Sequence, residues 1–468
     1  MRTLIINGTV VTAEGSARAD VLVEGETIAL VGPDLPGSGV SAEATIDAAG
    51  RWVVPGGIDV HTHMELPLGG TVARDTFETG TRAAAFGGTT TIIDFAAQQR
   101  GGSLRAGLEA SLAQAEGRAV VDYGLHVMVA DVNDAALAEM DALVAEGVPS
   151  FKLFTAYPAT VMSDDGAIYR AMRRTAANGG LILMHAENGP AIDAVVAENI
   201  ALVRTDPVWH GRSRLAIFEG EATNRVVRLA EAAGVPVYIV HLSSRDALDE
   251  VRAARRRGTP VWAETCPQYL FLSLDDLDRP EFEGAKFVCS PPLRPRDHQA
   301  DLWAGLAAGD LQLVATDHCP FDFRGQKELG RGDFRRIPNG LPGVEDRVDL
   351  VHFGGVVGGR FGPERWVDLV ATTPAKLFGL YPRKGTIAPG SDADLLVFDP
   401  ARRRTISAAS HHMNVDYSCY EGLEIQGTAD IVMSRGTVLV RDGTWVGPAG
   451  HGRFLRRAPA TYARGDRS

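Results

Sequence analysis

Gly57-Ile58-Asp59-Val60-His61-Thr62-His63 opens the apolar middle of this chain, and its last three residues decide the fold. The run leaving Val54-Pro55-Gly56 reads as a first strand. In an open, doubly wound sheet that strand would lead into a glycine-rich phosphate turn. Two histidines stand there instead. Residues two apart on a strand share a face, so both side chains can project from its C-terminal end. Further strand-like runs follow at residues 89–95, 122–130, 150–154, 181–187, 235–242, 260–266 and 312–317. Between most of them lie amphipathic helical stretches, at 104–116, 135–145, 167–177, 223–233 and 247–257. Strand–helix alternation implies parallel pairing through crossover helices. Eight such strands close a (β/α)8 TIM-type barrel, an α/β fold whose working residues sit at the C-terminal strand ends.

Outward from this middle, both ends change style. Short β-branched runs punctuated by glycine occur at 4–6, 10–12, 19–23 and 28–31, and again at 395–398, 431–433 and 438–440 after Gly390-Ser391-Asp392-Ala393-Asp394. Two β-rich ends around a different middle predict one small β-sandwich domain built from both termini. The expected division is sandwich over 1–55 and 383–450, barrel over 56–382, and a C-terminal tail over 451–468.

A net charge of −12 argues against nucleic-acid or anionic-membrane partners, which call for a basic patch. The run Arg255-Arg256-Arg257 reads as a solvated last helical turn, favourable to the helix dipole. Four cysteines without a CxxC pair exclude a disulfide framework or a cysteine zinc knuckle. The N-terminus has no signal-peptide core, and no apolar run reaches the ~18 residues of a membrane helix. A cytoplasmic protein is expected. Positive charge is supplied by 42 arginines against five lysines. One of those five, Lys152, stands inside the apolar strand Ser150-Phe151-Lys152-Leu153-Phe154, where a charge has no ordinary place.

Ionisable residues cluster at C-terminal strand ends: His61 and His63, Lys152, His185, His241 and Asp317. A single histidine in such a place is more often a hydrogen-bonded core residue than a ligand, and His126, in mid-strand, is read that way. An Asp at a strand end is often only a helix N-cap. Their joint occurrence at one rim points to a metal centre, because imidazoles and carboxylates suit zinc and similar divalent ions. Lys152 is the misfit. Burial lowers a lysine's pKa, and a free amine can add CO2 to give a carbamate, a carboxylate on a long arm able to bridge two metals.

Five ordered motifs carry a resemblance. They are Val54-Pro55-Gly56-Gly57-Ile58-Asp59-Val60-His61-Thr62-His63, Ser150-Phe151-Lys152-Leu153-Phe154-Thr155-Ala156-Tyr157, His185-Ala186-Glu187-Asn188, His241-Leu242-Ser243 and Ala315-Thr316-Asp317-His318-Cys319-Pro320-Phe321. Together they resemble the cyclic amidohydrolases, above all the dihydropyrimidinases and D-hydantoinases. The resemblance implies two divalent metal ions, zinc first and manganese as the alternative, held by His61, His63, the Lys152 carbamate, His185, His241 and Asp317. It implies that Ser290 and Asn339, in Cys289-Ser290-Pro291-Pro292-Leu293-Arg294 and Pro338-Asn339-Gly340-Leu341-Pro342-Gly343-Val344-Glu345, bind a cyclic imide through backbone groups. It also implies a homotetramer.

The expected reaction is hydrolytic opening of dihydropyrimidine and hydantoin rings to N-carbamoyl amino acids. Tyr157 is the candidate oxyanion donor. Asp317 is the candidate proton shuttle, and His318 is expected to orient a ligand. Dihydroorotases and allantoinases resemble this chain too. Two residues past the second motif histidine, dihydroorotases carry an arginine for the substrate carboxylate, where this chain has Glu65. The expectation is that Glu65 repels dihydroorotate, while Leu66, Leu68 and Phe154 line an apolar pocket. The rival readings are an allantoinase-like hydrolase and an inactive scaffold relative.

Overall fold

Ile58 and Val60 sit in the first of eight strands that pair in sequence order, every neighbour parallel: β1 (Gly57–Thr62), β2 (Thr89–Ala97), β3 (Asp122–Met128), β4 (Ser150–Phe154), β5 (Leu181–His185), β6 (Val237–Ile239), β7 (Val261–Thr265) and β8 (Leu313–Val314). The structure, a computed structural model, describes residues 1–459. The seam between β8 and β1 is closed by single contacts rather than a ladder. His63 N–H donates to His318 O at 2.8 Å, and the Asp59 carboxylate accepts from the Thr316 hydroxyl at 2.6 Å.

Strands β6 and β8 are shorter than the apolar runs that predict them. The chain leaves the ladder to place His241 (φ 39°) and Asp317 (φ 53°) in the left-handed region, which no strand can continue. A different irregularity serves β1. Between Asp59 and Thr62 it advances three residues while β2 advances two, from Ile92 to Asp94. Such a bulge re-aims side chains. Ile58 and Val60 stay in the barrel core with Ile93 and Phe95, and His61 and His63 pack over the Phe95 ring.

Leu181, Leu183, Tyr238, Trp262 and Leu313 fill the rest of the interior, and Phe378 and Leu455 close it from below. Removing a ring as buried as Phe378 costs roughly 3–5 kcal/mol. The surrounding helices start where the sequence supplies a cap. Ser103, Asn133, Asp164 and Ser244 each accept a backbone N–H from the first turn, a bond worth about 1 kcal/mol.

The two ends of the chain do meet. Strand Trp52–Pro55 pairs antiparallel with Leu395–Thr405 and parallel with Thr9–Thr12 inside a seven-stranded sheet. A four-stranded sheet of Arg2–Ile6, Asp20–Glu24, Thr27–Gly32 and Ala44–Asp47 joins it across a shared core of Ile5, Val21, Ile28, Val53, Leu395 and Met433. Gly56 links this sheet to β1, and a Cβ there would collide with the Thr90 hydroxyl. The expected tail behaves as packed structure as far as it is described: Leu455 enters the barrel core, and Arg457 Nη2 donates to Leu125 O at 2.6 Å and Ser150 Oγ at 2.8 Å. Its remainder, 460–468, lies outside the described residues. Among the described residues no helix is long and apolar enough to cross a membrane.

Candidate metal centre

The six side chains at the C-terminal rim come together. His61 Nε2 and His63 Nε2 lie 3.2 and 3.1 Å from Asp317 Oδ1. His185 Nδ1 lies 2.9 Å from His241 Nε2. Lys152 Nζ is 2.9 Å from His61 Nε2 and sits 4.4 Å from the Phe95 ring centre. Nitrogen or oxygen atoms of His61, His241 and Asp317 all fall within 4.8 Å of one another. Five of the six are buried, and Asp317 is half-buried. Tyr157, His241 and Asp317 share a positive φ, strain of about 1–3 kcal/mol each that persists where surrounding structure holds it, as at active sites.

At His61 burial and Lys152 pull downward, but Glu264 and Asp317 outweigh them and raise the group. At the other three histidines burial favours the neutral imidazole, the form that binds metal. It lowers His63 to about 3 and also lowers His185 and His241. Burial alone would raise the Asp317 carboxyl, but His61 and His63 outweigh it and hold the group ionised. Burial likewise pulls the Lys152 amine below its ordinary value, with Asp317 and Glu264 acting in the opposite direction. A set of four imidazoles, one carboxylate and one weakened amine fits divalent metal ions.

Two carboxylates that sequence reasoning passed over complete the surroundings. Glu264, from β7, reaches His61 Nδ1 with one oxygen, which also accepts the His241 backbone N–H at 3.0 Å. Its other oxygen accepts from Tyr238 at 2.6 Å. Glu187 accepts from His185 Nε2 at 2.9 Å and from Arg214 at 2.8 Å. A carboxylate on the outer nitrogen of a ligating histidine fixes its tautomer and ring orientation. The available signal was a glutamate inside the apolar run 260–266.

Tyr157 follows β4, and its hydroxyl hydrogen-bonds Ser290. The Ser290 hydroxyl in turn accepts from Asn339 Nδ2 at 3.1 Å. The three residues expected to face substrate therefore adjoin one another. His126 bonds Ser150 and Val60 O, a satisfied core histidine.

Two expectations need correction. His318 does not touch a ligand side chain: its Nε2 faces Asp75 at 3.0 Å, its Nδ1 accepts from Gly343 N–H, and its carbonyl holds His63 N–H. It braces backbone. Glu65, at φ 55°, turns away from the mouth to Arg118, 3.4 Å away, and accepts the Phe77 N–H. Leu66 packs beside Ala73, Cys319 and Phe321, and Leu68 is 39% exposed. Phe154 stands beside the site, 5.6 Å from His185 between ring centres.

With this geometry in place, comparison with known proteins is direct. A model of the amidohydrolase family matches residues 52–439. A D-hydantoinase of Streptomyces coelicolor is 58% identical over 98% of this chain and 99% of its own length. One from Geobacillus stearothermophilus is 48% identical over 98% and 97%. The crystal structure of dihydropyrimidinase from Brevibacillus agri superposes with a TM-score of 0.96 at 47% identity, covering 98% of this chain and 99% of that one. The chain belongs to the amidohydrolase family, in the branch that holds the D-hydantoinases and dihydropyrimidinases.

Proposed function

We propose that this protein opens 5,6-dihydropyrimidine and 5-substituted hydantoin rings by hydrolysis, giving N-carbamoyl amino acids, and that His61, His63, His185, His241, Asp317 and a carbamate on Lys152 would hold two divalent metal ions for it. The observation that carries this reading is the Lys152 amine. It is buried, it faces an imidazole at 2.9 Å, and among the described residues no carboxylate lies within ion-pairing distance of it. A bare ammonium there would have no ion-pair partner, and burial outweighs the more distant Asp317 and Glu264 carboxylates. The free amine adding CO2 forms an N–C bond and releases one proton, and the resulting carboxylate turns a misfit into a ligand. The names of the relatives support the same activity.

His61, His63 and Asp317 would hold one side of the centre, His185 and His241 the other, and Lys152 the middle. Zinc matches this donor set best, with manganese the alternative. When bound, the metals supply Lewis acidity and a water acidified toward neutrality. Asp317 takes the proton of the attacking water and delivers it to the ring nitrogen as the C–N bond breaks. Burial pushes the Tyr157 phenol up although Arg214 pulls it down, so it stays protonated and donates to the carbonyl oxygen as negative charge develops. Backbone groups of Ser290 and Asn339 hold the imide. The family resemblance adds a homotetramer, which light scattering would test.

The deciding experiment is a panel of dihydrouracil, dihydrothymine, 5-substituted hydantoins, allantoin and dihydroorotate, run with metal analysis. Turnover of dihydropyrimidines and hydantoins by protein carrying two metals is expected. Allantoin or dihydroorotate as best substrate would overturn the substrate assignment, and a folded, metal-free, inactive protein would favour a scaffold role.

A further inference from the structure

Lys327 lies in the short turn Lys327–Gly330 and is fully buried. An ammonium has three protons to donate. Here they go to Val288 O at 2.9 Å, Pro338 O at 2.7 Å and Gly340 O at 2.8 Å. Among the described residues no carboxylate pairs with it. The three carbonyls belong to the two segments that carry Ser290 and Asn339, which also touch directly: Gly340 N–H donates to Val288 O at 3.0 Å. Burial lowers Lys327 to about 8, which leaves the ammonium the majority form at neutral pH.

An isolated buried charge is poor value for stability, since an apolar side chain of similar volume would serve the core as well or better. What the charge does achieve is geometric. One atom fixes the spacing of two loops that no regular ladder joins. It also grips the carbonyl of the Pro338–Asn339 peptide, whose N–H is that of Asn339. A carbonyl held by a cation polarises its own amide, and hydrogen bonds linked in this way strengthen one another.

We propose that Lys327 is a positioning residue for substrate recognition: its ammonium sets the distance between Ser290 and Asn339 and strengthens the Asn339 N–H as a donor to the cyclic imide. This rests on the reading of those two residues as the imide-holding pair.

The test uses the metal-loaded protein with Lys327→Met and Lys327→Gln, assayed on dihydrouracil and a 5-substituted hydantoin. Acetohydroxamate serves as a metal-directed inhibitor too small to span the loops. For Lys327→Met we expect KM to rise about 10- to 100-fold with kcat within about threefold. Lys327→Gln, which keeps two donors, should fall between, and metal content and acetohydroxamate inhibition should be unchanged. An unchanged KM in folded Lys327→Met overturns the proposal. So does parallel loss of metal and acetohydroxamate binding, or failure of both variants to fold, each of which makes Lys327 a stability residue. If the wild type opens no cyclic imide, the functional reading fails on its own, and amide exchange then judges the clamp. Faster exchange confined to 288–290 and 338–341 in the variants supports it, and unchanged exchange overturns it.

Discussion

At the floor of the barrel Lys384 Nζ lies 2.7 Å from Asp394, 2.8 Å from Asp122 and 3.0 Å from Asp392, and Arg435 flanks Asp122 at 3.1 Å. At the mouth Lys152 Nζ has an imidazole at 2.9 Å and the faces of Phe95 and Phe154. Both lysines are buried to about the same degree. Burial pushes both pKa values down; at the floor Asp394 and Asp122 more than reverse this, and at the mouth Asp317 and Glu264 do not. The floor is a lock. It ties β3, through Asp122, to the sandwich strand that begins after Asp394. The mouth keeps a lysine whose charge burial disfavours. Burial alone does not tell these roles apart; the carboxylate count around the nitrogen does.

The comparison breaks most visibly at Lys152. Lys152→Ala is expected to lose both metals and to lower turnover by more than about 10⁴-fold, with partial return on adding acetate or propionate in place of the missing carbamate. Metal analysis with and without the added acid reads this directly, and full metal content with near-normal rate would show that the lysine bridges nothing. Asp317→Asn is expected to be slightly milder. Its amide cannot carry the proton, so kcat should fall about 10²- to 10⁴-fold while the melting temperature stays close to that of the parent. A metal-replete, folded variant that turns over normally would remove Asp317 from the proton path.

Lys384 should show the opposite pattern. Lys384→Met leaves buried Asp394 without a cation and takes one of two from Asp122 and from Asp392, and is expected to cost about 3–5 kcal/mol of stability, read by urea denaturation, with turnover per folded, metal-loaded molecule unchanged. Lys152→Met in the metal-free protein should cost nothing by the same assay, since no ion pair is lost. Equal losses for the two substitutions would erase the distinction between lock and reactive amine.

The barrel and its rim were legible because their signals are periodic or chemically dense: apolar runs at regular spacing, five metal-suited side chains at strand ends, and one lysine inside an apolar strand. The joining of the two termini could be read from the matching style of their strands. What could not be read depends on contacts distant in sequence. Glu264 looks like one polar residue in an apolar strand, and only the fold sets it against His61, 203 residues away. Lys327 gives no local signal, because its partners are carbonyls on two other loops. Glu65 was misread for the same reason. Its neighbours in sequence suggest a pocket wall, but a left-handed backbone turns its side chain toward a helix end.

That correction supplies the smallest prediction. Glu65 pairs with Arg118 across 3.4 Å with both side chains partly exposed, so the pair contributes no more than about 1 kcal/mol after solvent screening. Glu65→Gln should therefore move the melting temperature by a few degrees at most. Because the carboxylate does not face the mouth, the ranking of dihydrouracil, hydantoins and dihydroorotate should stay as it is in the parent. Arg118→Gln should reproduce the small stability change, and the double variant should be nearly additive except for the pair's own coupling. A tenfold or larger gain in dihydroorotate affinity on Glu65→Gln would show that the carboxylate does reach the substrate, and would return Glu65 to the pocket wall.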